Sequence, residues 1–351
     1  MMPIDLRRDT ITLPSEEMKE KAFQASLGDS VYGEDPNQAA LEETAARLLG
    51  KEAALFVPSG TMGNLIALLT HTRRGEEVIL EENAHIRLSE TGGLAAVAGL
   101  MVRGLFGADG IPEPEAVLAV LRPDDIHYPR TSLLCIENTH YRYGGIVPPL
   151  EKMREIYELS RRHQLAVHLD GARLWNAAVY LGIHPSFLAR YADSVMVSLS
   201  KGLGAPIGSL LAGSEAFIRE ARRYRKMLGG GMRQTGWLCA CGLIAISGEN
   251  IARLQDDHRH ARLLAEGLAV LDNITVDLTR IQTNFVLVDC SALPVKAPEI
   301  TRKFAGKGVL VTPAGEHRIR LVTSSRVGTG DVRQALSIME AFFRGFSGKT
   351  L

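Results

Sequence analysis

Short runs almost free of polar side chains alternate, along the first two-thirds of this chain, with longer stretches of helical spacing. The runs are AALFVP (Ala53 to Pro58), EVILE (Glu77 to Glu81), SLLCIEN (Ser132 to Asn138), LAVHLD (Leu165 to Asp170), DSVMVSLS (Asp193 to Ser200) and GSLLAG (Gly208 to Gly213). Between them lie segments such as LEKMREIYELSRRH (Leu150 to His163), whose apolar residues recur near helical spacing. Strands without polar residues are buried on both faces, and strands joined through helices form βαβ units. The pattern predicts an α/β fold on a mostly parallel sheet.

The pattern changes after about residue 245. A long polar helix is expected over IARLQDDHRHARLLAEGLAVL (Ile251 to Leu271), with His258 and His260 exposed on it. Strand-like ITVDL, TNFVLVD, VLVTP and RIRLVT come next, then a last helix near Asp331 to Phe346. At 351 residues the chain exceeds the size at which one core usually stops growing. The expected division is a turn-rich N-terminal segment, 1–25, contacting both domains; a large domain, 26–247; and a smaller C-terminal α+β domain, 248–351.

Charge excludes some partners. Lys plus Arg and Asp plus Glu both number 40, and no long basic run occurs, so neither nucleic acid nor an anionic membrane has bulk attraction for the chain. No apolar run reaches the ~18 residues of a membrane span, and the polar, charged opening is unlike a signal peptide. Cys135, Cys239, Cys241 and Cys290 read as buried thiols, not as a disulfide framework or a zinc site, so a reducing cytoplasm is expected and no metal.

In open α/β sheets ligands bind beyond the carboxyl ends of strands. LAVHLD ends on Asp170, a costly place for a carboxylate without a partner; taken alone it reads equally as the N-cap of the next segment. Thirty-one residues later DSVMVSLS runs into Lys201 and the turn GLGAPIG. A lysine desolvated there has a lowered pKa and can form a Schiff base. A nucleotide-binding lysine is the alternative, but no Walker A spacing surrounds it and no GxGxxG occurs in the chain. PSGTMGN (Pro58 to Asn64) links a strand to a helix, so its backbone N–H groups and the Ser59 and Thr61 hydroxyls could hold a phosphate, or it is an ordinary turn. A phosphate loop, then an Asp, then a Lys, each at a strand end and in that order, match the needs of pyridoxal 5'-phosphate (PLP): an anchored phosphate, a protonated ring nitrogen and a held aldehyde.

At these residues the chain resembles the low-specificity L-threonine aldolases, within the aspartate-aminotransferase-like fold type I PLP enzymes. The resemblance covers nearly the whole chain: DLRRDT near the start, VYGEDP (Val31 to Pro36), LFVPSGTMGN, IHYPRTSLLCIENTH (Ile126 to His140), VHLDGAR, SLSKGLGAPIGSLLAG, RKMLGGGMRQ (Arg225 to Gln234) and IRLVT (Ile319 to Thr323). It implies a seven-stranded, mostly parallel sheet in the large domain. It further implies that Lys201 binds the cofactor aldehyde, that Asp170 pairs with the ring nitrogen, and that Ser59, Gly60 and Thr61 bind the phosphate. Arg173 is expected near the ring hydroxyl and the substrate, His85 stacked on the ring, His127 beside the substrate β-hydroxyl, and Arg320 on the substrate carboxylate, which suits its bidentate fork. Arg233 and Tyr32 are expected to reach a neighbouring subunit's site, in a homo-oligomer, usually a tetramer, with shared active sites. Taken singly, His85 and His127 read as loop histidines, Arg320 as a solvated strand residue, and Gly229 to Gly231 as a hinge.

The implied reaction is retro-aldol cleavage of L-threonine, L-allo-threonine or a related β-hydroxy-α-amino acid to glycine and an aldehyde, with His85 or His127 as base. Four positions depart from the family pattern. Arg8 replaces the usual Ser, Tyr141 follows His140 where Asn is usual, Arg87 replaces an aromatic, and Ser324 replaces His. Together they suggest a larger or anionic side group, or β-elimination or racemisation of such a substrate. An aminotransferase would need a keto-acid acceptor, retention of Lys201 and Asp170 argues against a non-catalytic binder, and a nicotinamide dehydrogenase lacks its fingerprint.

Overall fold

The computed structural model describes residues 3–346. Twelve strands occur among them in chain order: β1 (Ile4–Asp5), β2 (Ala53–Val57), β3 (Glu77–Glu81), β4 (Met101–Leu105), β5 (Thr131–Glu137), β6 (Ala166–Gly171), β7 (Ser194–Ser198), β8 (Ser209–Gly213), β9 (Phe285–Asp289), β10 (Val309–Leu310), β11 (Thr312–Pro313) and β12 (Arg318–Val322). Seven make one sheet in the order β2-β8-β7-β6-β5-β3-β4. Every pairing in it is parallel except those of β8, which runs against both β2 and β7. The expected seven-stranded, mostly parallel sheet is therefore present. Its central strands β3, β5, β7 and β8 are buried along their whole length.

Within this sheet, the strand that periodicity did not pick out is β4. It lies at the sheet edge, is half-exposed and carries Arg103 and Gly104, so it lacks the apolar signature of a strand covered on both faces.

Downstream, β11, β12 and β9 form a separate antiparallel sheet, packed in a core with the helices Leu254–Ala269 and Thr329–Arg344. β1 pairs in parallel with β10, and Ile4 and Leu6 join this downstream core, although they come from the chain's first residues. ITVDL is not a strand: Thr275 makes one bridge to Asp289, and a short 3-10 turn capped by Asp277 comes after it at Leu278–Arg280. The expected helix over Ile251 to Leu271 is divided, Gly248–Ala252 and Leu254–Ala269.

His258 and His260 are not exposed, contrary to the expectation for a polar helix. They are 6% and 7% exposed, because the helix packs between Leu174–Leu181 and Thr329–Arg344. His258 Nε2 lies 3.1 Å from Asn176 Nδ2 and His260 Nε2 3.0 Å from Thr329 Oγ1. All four cysteines are buried and free. Among the described residues no helix is long and apolar enough to cross a membrane.

Candidate active site

β6 and β7 are parallel neighbours, with Asp170 opposite Met196, so Asp170 and the Lys201 segment emerge at the same edge of the sheet. β2 points the same way as β7, because β8 reverses direction between them. Its continuation places the N-terminus of helix Gly60–His71 at that edge as well. Ser59 caps this helix, its Oγ accepting from Met62 N at 3.2 Å, with Gly60 and Thr61 as the first two helical residues. An N-terminus of this kind presents free N–H groups to an anion.

Asp170 is 2% exposed. Its carboxylate accepts from Ala172 N at 3.1 Å and from Asn64 Nδ2 at 2.9 Å. Among the described residues no ion pair neutralises it. The same Asn64 nitrogen donates to Glu90 Oε1 at 2.8 Å, and His85 Nδ1 meets that oxygen at 2.9 Å. His85, Glu90 and Asp170 thus converge within 4.8 Å.

Behind Asn64 the hydrogen bonds have one possible direction. Asn64 Oδ1 can only accept, so His168 Nε2, at 3.1 Å, donates. Burial pushes the His168 imidazole down to about 3, so it is neutral, and its Nδ1 must accept from the Ser194 hydroxyl at 2.8 Å. The Ser194 oxygen then accepts from His71 Nε2 at 2.7 Å. His71, pushed down to about 4 by burial, stacks on Phe217 at 4.6 Å. Every donor in this buried chain points toward Asp170.

Burial and the positive field of Arg173 push the Lys201 amine down to about 8, against the pull of Asp9, Asp170 and Glu137. Thr12 Oγ1 holds the Lys201 carbonyl at 2.7 Å. Arg173 grips Asp9 with two 2.7 Å hydrogen bonds, and both residues are buried. Burial works against the Asp9 charge, but Arg173 outweighs it and holds the carboxyl below its usual range. Burial likewise opposes a charged His85, yet the Glu90 hydrogen bond and the field of Asp170 raise its pKa.

Tyr141 stands between these groups. Its ring lies 4.3 Å from the Arg320 guanidinium, 5.5 Å from that of Arg173, and edge-on to His85 at 6.1 Å. Of the four departures, Arg8 and Tyr141 line a common pocket. Arg87 is instead tied back to Glu82 at 2.6 Å, and Ser324 is fully buried, its Oγ 3.4 Å from Arg326 N.

The structure therefore brings together Lys201, Asp170, His85 and Arg173, with Arg320 across Tyr141. It does not join His127 to this network: that side chain is 78% exposed and meets Asp125 of its own loop at 2.7 Å. Tyr32, 77% exposed, and Arg233 share one surface patch, where Arg233 reaches Asp29 at 3.0 Å and its carbonyl accepts from Ser30 N. Asn64, Glu90 and Asp9 had no assigned role in the sequence. Asn64 lies one helical turn beyond Gly60 and Asp9 lies within DLRRDT, so position alone could have raised both; Glu90 offers no such signal.

PLP fits this set. A protonated ring nitrogen would neutralise the otherwise unpaired Asp170, an aldehyde would meet the depressed amine of Lys201, and a phosphate would meet the N-terminus capped by Ser59. Fold and site thus define a fold type I PLP enzyme. A family model described as beta-eliminating lyase matches residues 5–291. "Probable low-specificity L-threonine aldolase 2" of Arabidopsis thaliana is 44% identical over 345 residues, covering 97% of each chain. "Low specificity L-threonine aldolase" of Escherichia coli K12 is 43% identical, covering 98% of this chain and 99% of its own. A Leishmania major threonine aldolase structure superposes with TM-score 0.83 at 21% identity, covering 97% of this chain and all of that one. An aspartate aminotransferase of Thermus thermophilus gives TM-score 0.73 at 19% identity, covering 98% and 91%. The chain belongs to the low-specificity L-threonine aldolase family of the beta-eliminating lyases.

Proposed function

We propose that the protein cleaves L-threonine, L-allo-threonine or a related β-hydroxy-α-amino acid to glycine and an aldehyde. The observation that carries this reading is the convergence of Lys201, Asp170 and a Glu90-bound His85 at one sheet edge, in a chain so similar to aldolases.

Lys201 would supply the amine that holds the cofactor aldehyde. Asp170, oriented by Asn64, keeps the ring nitrogen protonated. Ser59, Gly60 and Thr61 hold the phosphate. Bound PLP supplies an acceptor for the electron pair of the breaking Cα–Cβ bond. Arg320 takes the α-carboxylate, and Arg173, braced by Asp9, bounds the ring and substrate. His85 takes the β-hydroxyl proton, directly or through a water; the bond breaks, the aldehyde leaves, and Cα gains a proton to give glycine. His127 keeps its candidacy as a second base only if its loop reaches the site.

The reading includes a homo-oligomer, a tetramer, in which Tyr32 and Arg233 of one subunit complete the site of another; their shared exposed patch supports it. A cytoplasmic setting accords with four free cysteines. The test is release of glycine and aldehyde by PLP-loaded protein given L-threonine, L-allo-threonine and L-phenylserine in parallel. Cleavage of any one is expected. Failure of all three, with the visible absorbance of lysine-bound cofactor intact, would overturn the reaction and leave the fold standing.

A further inference from the structure

The pocket beside Tyr141 carries more positive charge than one substrate carboxylate requires. It encloses about 720 Å3, and Arg8, Arg142, Arg280, Arg318 and Arg320 line it while no described Asp or Glu does. The whole chain has 40 basic and 40 acidic residues, so the imbalance is local. Arg320 is 6% exposed and its Nε finds no hydrogen-bond partner among the described residues. Among the described residues no carboxylate pairs with Arg8, Arg142, Arg318 or Arg320, and Arg280 lies at a loose 3.9 Å from Asp109. Arg8 stands near enough that its charge opposes that of Arg320. Like charges gathered in a cleft raise the local concentration of anions and discriminate strongly against cations.

An α-carboxylate on Arg320 answers one guanidinium and leaves Arg8, Arg142 and Arg318 without a paired carboxylate among the described residues. Arg8 adds to that surplus at a position where the resembling family carries Ser. We propose that this pocket selects β-hydroxy-α-amino acids whose side chain carries a second anionic group, a carboxylate or a phosphoryl group, held by Arg8, Arg142 and Arg318 while Arg320 takes the α-carboxylate. The inference rests on the aldolase reading for its reaction, but on the pocket alone for its charge preference. Guanidinium forks match carboxylate and phosphoryl oxygens in pairs, so either anion meets the geometry.

The experiment separates binding from chemistry. Calorimetric dissociation constants are measured on the PLP-loaded enzyme for L-phenylalanine, 4-carboxy-L-phenylalanine and 4-phosphono-L-phenylalanine, which lack a β-hydroxyl and are not cleaved. At least one anionic analogue binds about tenfold or more tightly than the neutral parent, with a ratio that shrinks as salt rises. The tighter of the two identifies the anion. Equal constants for all three would overturn the proposal. Arg318→Ala and Arg8→Ser each bring the ratio toward one, with the visible absorbance of lysine-bound cofactor checking that the variant is folded. A ratio that stands unchanged in both would remove the preference from this pocket. Cleavage of L-threonine and of 4-carboxyphenylserine is assayed on the same preparation. Equal binding with threonine cleaved sinks the charge preference alone; tight anion binding with neither cleaved sinks the aldolase reading alone.

Discussion

Asn64 donates one amide nitrogen to two carboxylates, Asp170 at 2.9 Å and Glu90 at 2.8 Å, and so fixes Asp170 relative to the His85–Glu90 pair. Burial, and the nearby Asp170, raise the Glu90 pKa, so the amide also relieves a crowded acidic site. Removing one partner of a buried hydrogen bond costs about 1–3 kcal/mol. Asn64→Ala should therefore weaken PLP binding by roughly tenfold to a hundredfold, read by titrating the apoprotein with cofactor. Undiminished affinity would show that Asp170 is held without it.

The depressed Lys201 amine should be visible in cofactor capture. Only the neutral amine attacks an aldehyde. With a pKa pushed down to about 8, the neutral fraction is already near its maximum above that pH, where an ordinary lysine would still be charged. The rate at which apoprotein captures PLP should rise with pH and level off above about 8. A rate still climbing at pH 10 would contradict the shift. Lysine-bound absorbance should be absent from Lys201→Ala.

Asp9 has no direct reach into chemistry, yet its loss should be severe. Breaking a buried pair by removing one member typically costs about 3–5 kcal/mol, because the other charge is left unpaired. Asp9→Ala, which strands Arg173, should lower the denaturant midpoint markedly and raise the KM for amino acid. A midpoint equal to that of the parent protein would show that Arg173 finds another anion.

Burial keeps His258 neutral, with a pKa pushed down to about 4, and His71 behaves alike. Between pH ~6.5 and about 4 the unfolded chain binds protons at these histidines that the folded chain refuses. Stability should therefore fall on acidification through that window, by about 1.4 kcal/mol per pH unit for each histidine. His258→Gln should flatten the slope, measured by urea unfolding at a series of pH values; an unchanged slope would assign the acid sensitivity elsewhere.

If Arg233 serves a neighbour's site, two inactive variants can rescue one another. Lys201→Ala and Arg233→Ala subunits, unfolded together and reassembled with PLP, should regain aldolase activity, because some sites in the hybrids receive both residues intact. Absence of rescue, with hybrid oligomers confirmed by mass, would confine each site to one subunit.

Much of the frame was legible because covered strands are written in unbroken apolar runs, and Asp170 and Lys201 are conspicuous as charges where such runs end. β4 was not, since an edge strand can carry Arg103 without penalty. His258 and His260 misled for the opposite reason. Polar neighbours on Leu254–Ala269 suggested a solvated helix, whereas Asn176 and Thr329 supply partners that let imidazoles be buried. Glu90 was invisible because nothing local marks it; only the fold carries it to Asn64. Of the four departures, local sequence could not tell which point inward, and only Arg8 and Tyr141 reach the pocket.

Asp5 lies in register with Leu310 of β10, where Leu6 N donates to the Leu310 carbonyl, while Asp9 is clamped to Arg173 beside Lys201. Four peptide units span at most about 14 Å, so the two anchors cannot part by more than that while both hold. The segment is a short tether. A displacement of the downstream sheet beyond that reach would pull on the carboxylate under Arg173 or part β1 from β10, and Arg8 lies within the tether. Trimming the first nine residues would thus do more than shorten the protein: it would remove at once the strand beside β10 and the carboxylate under Arg173.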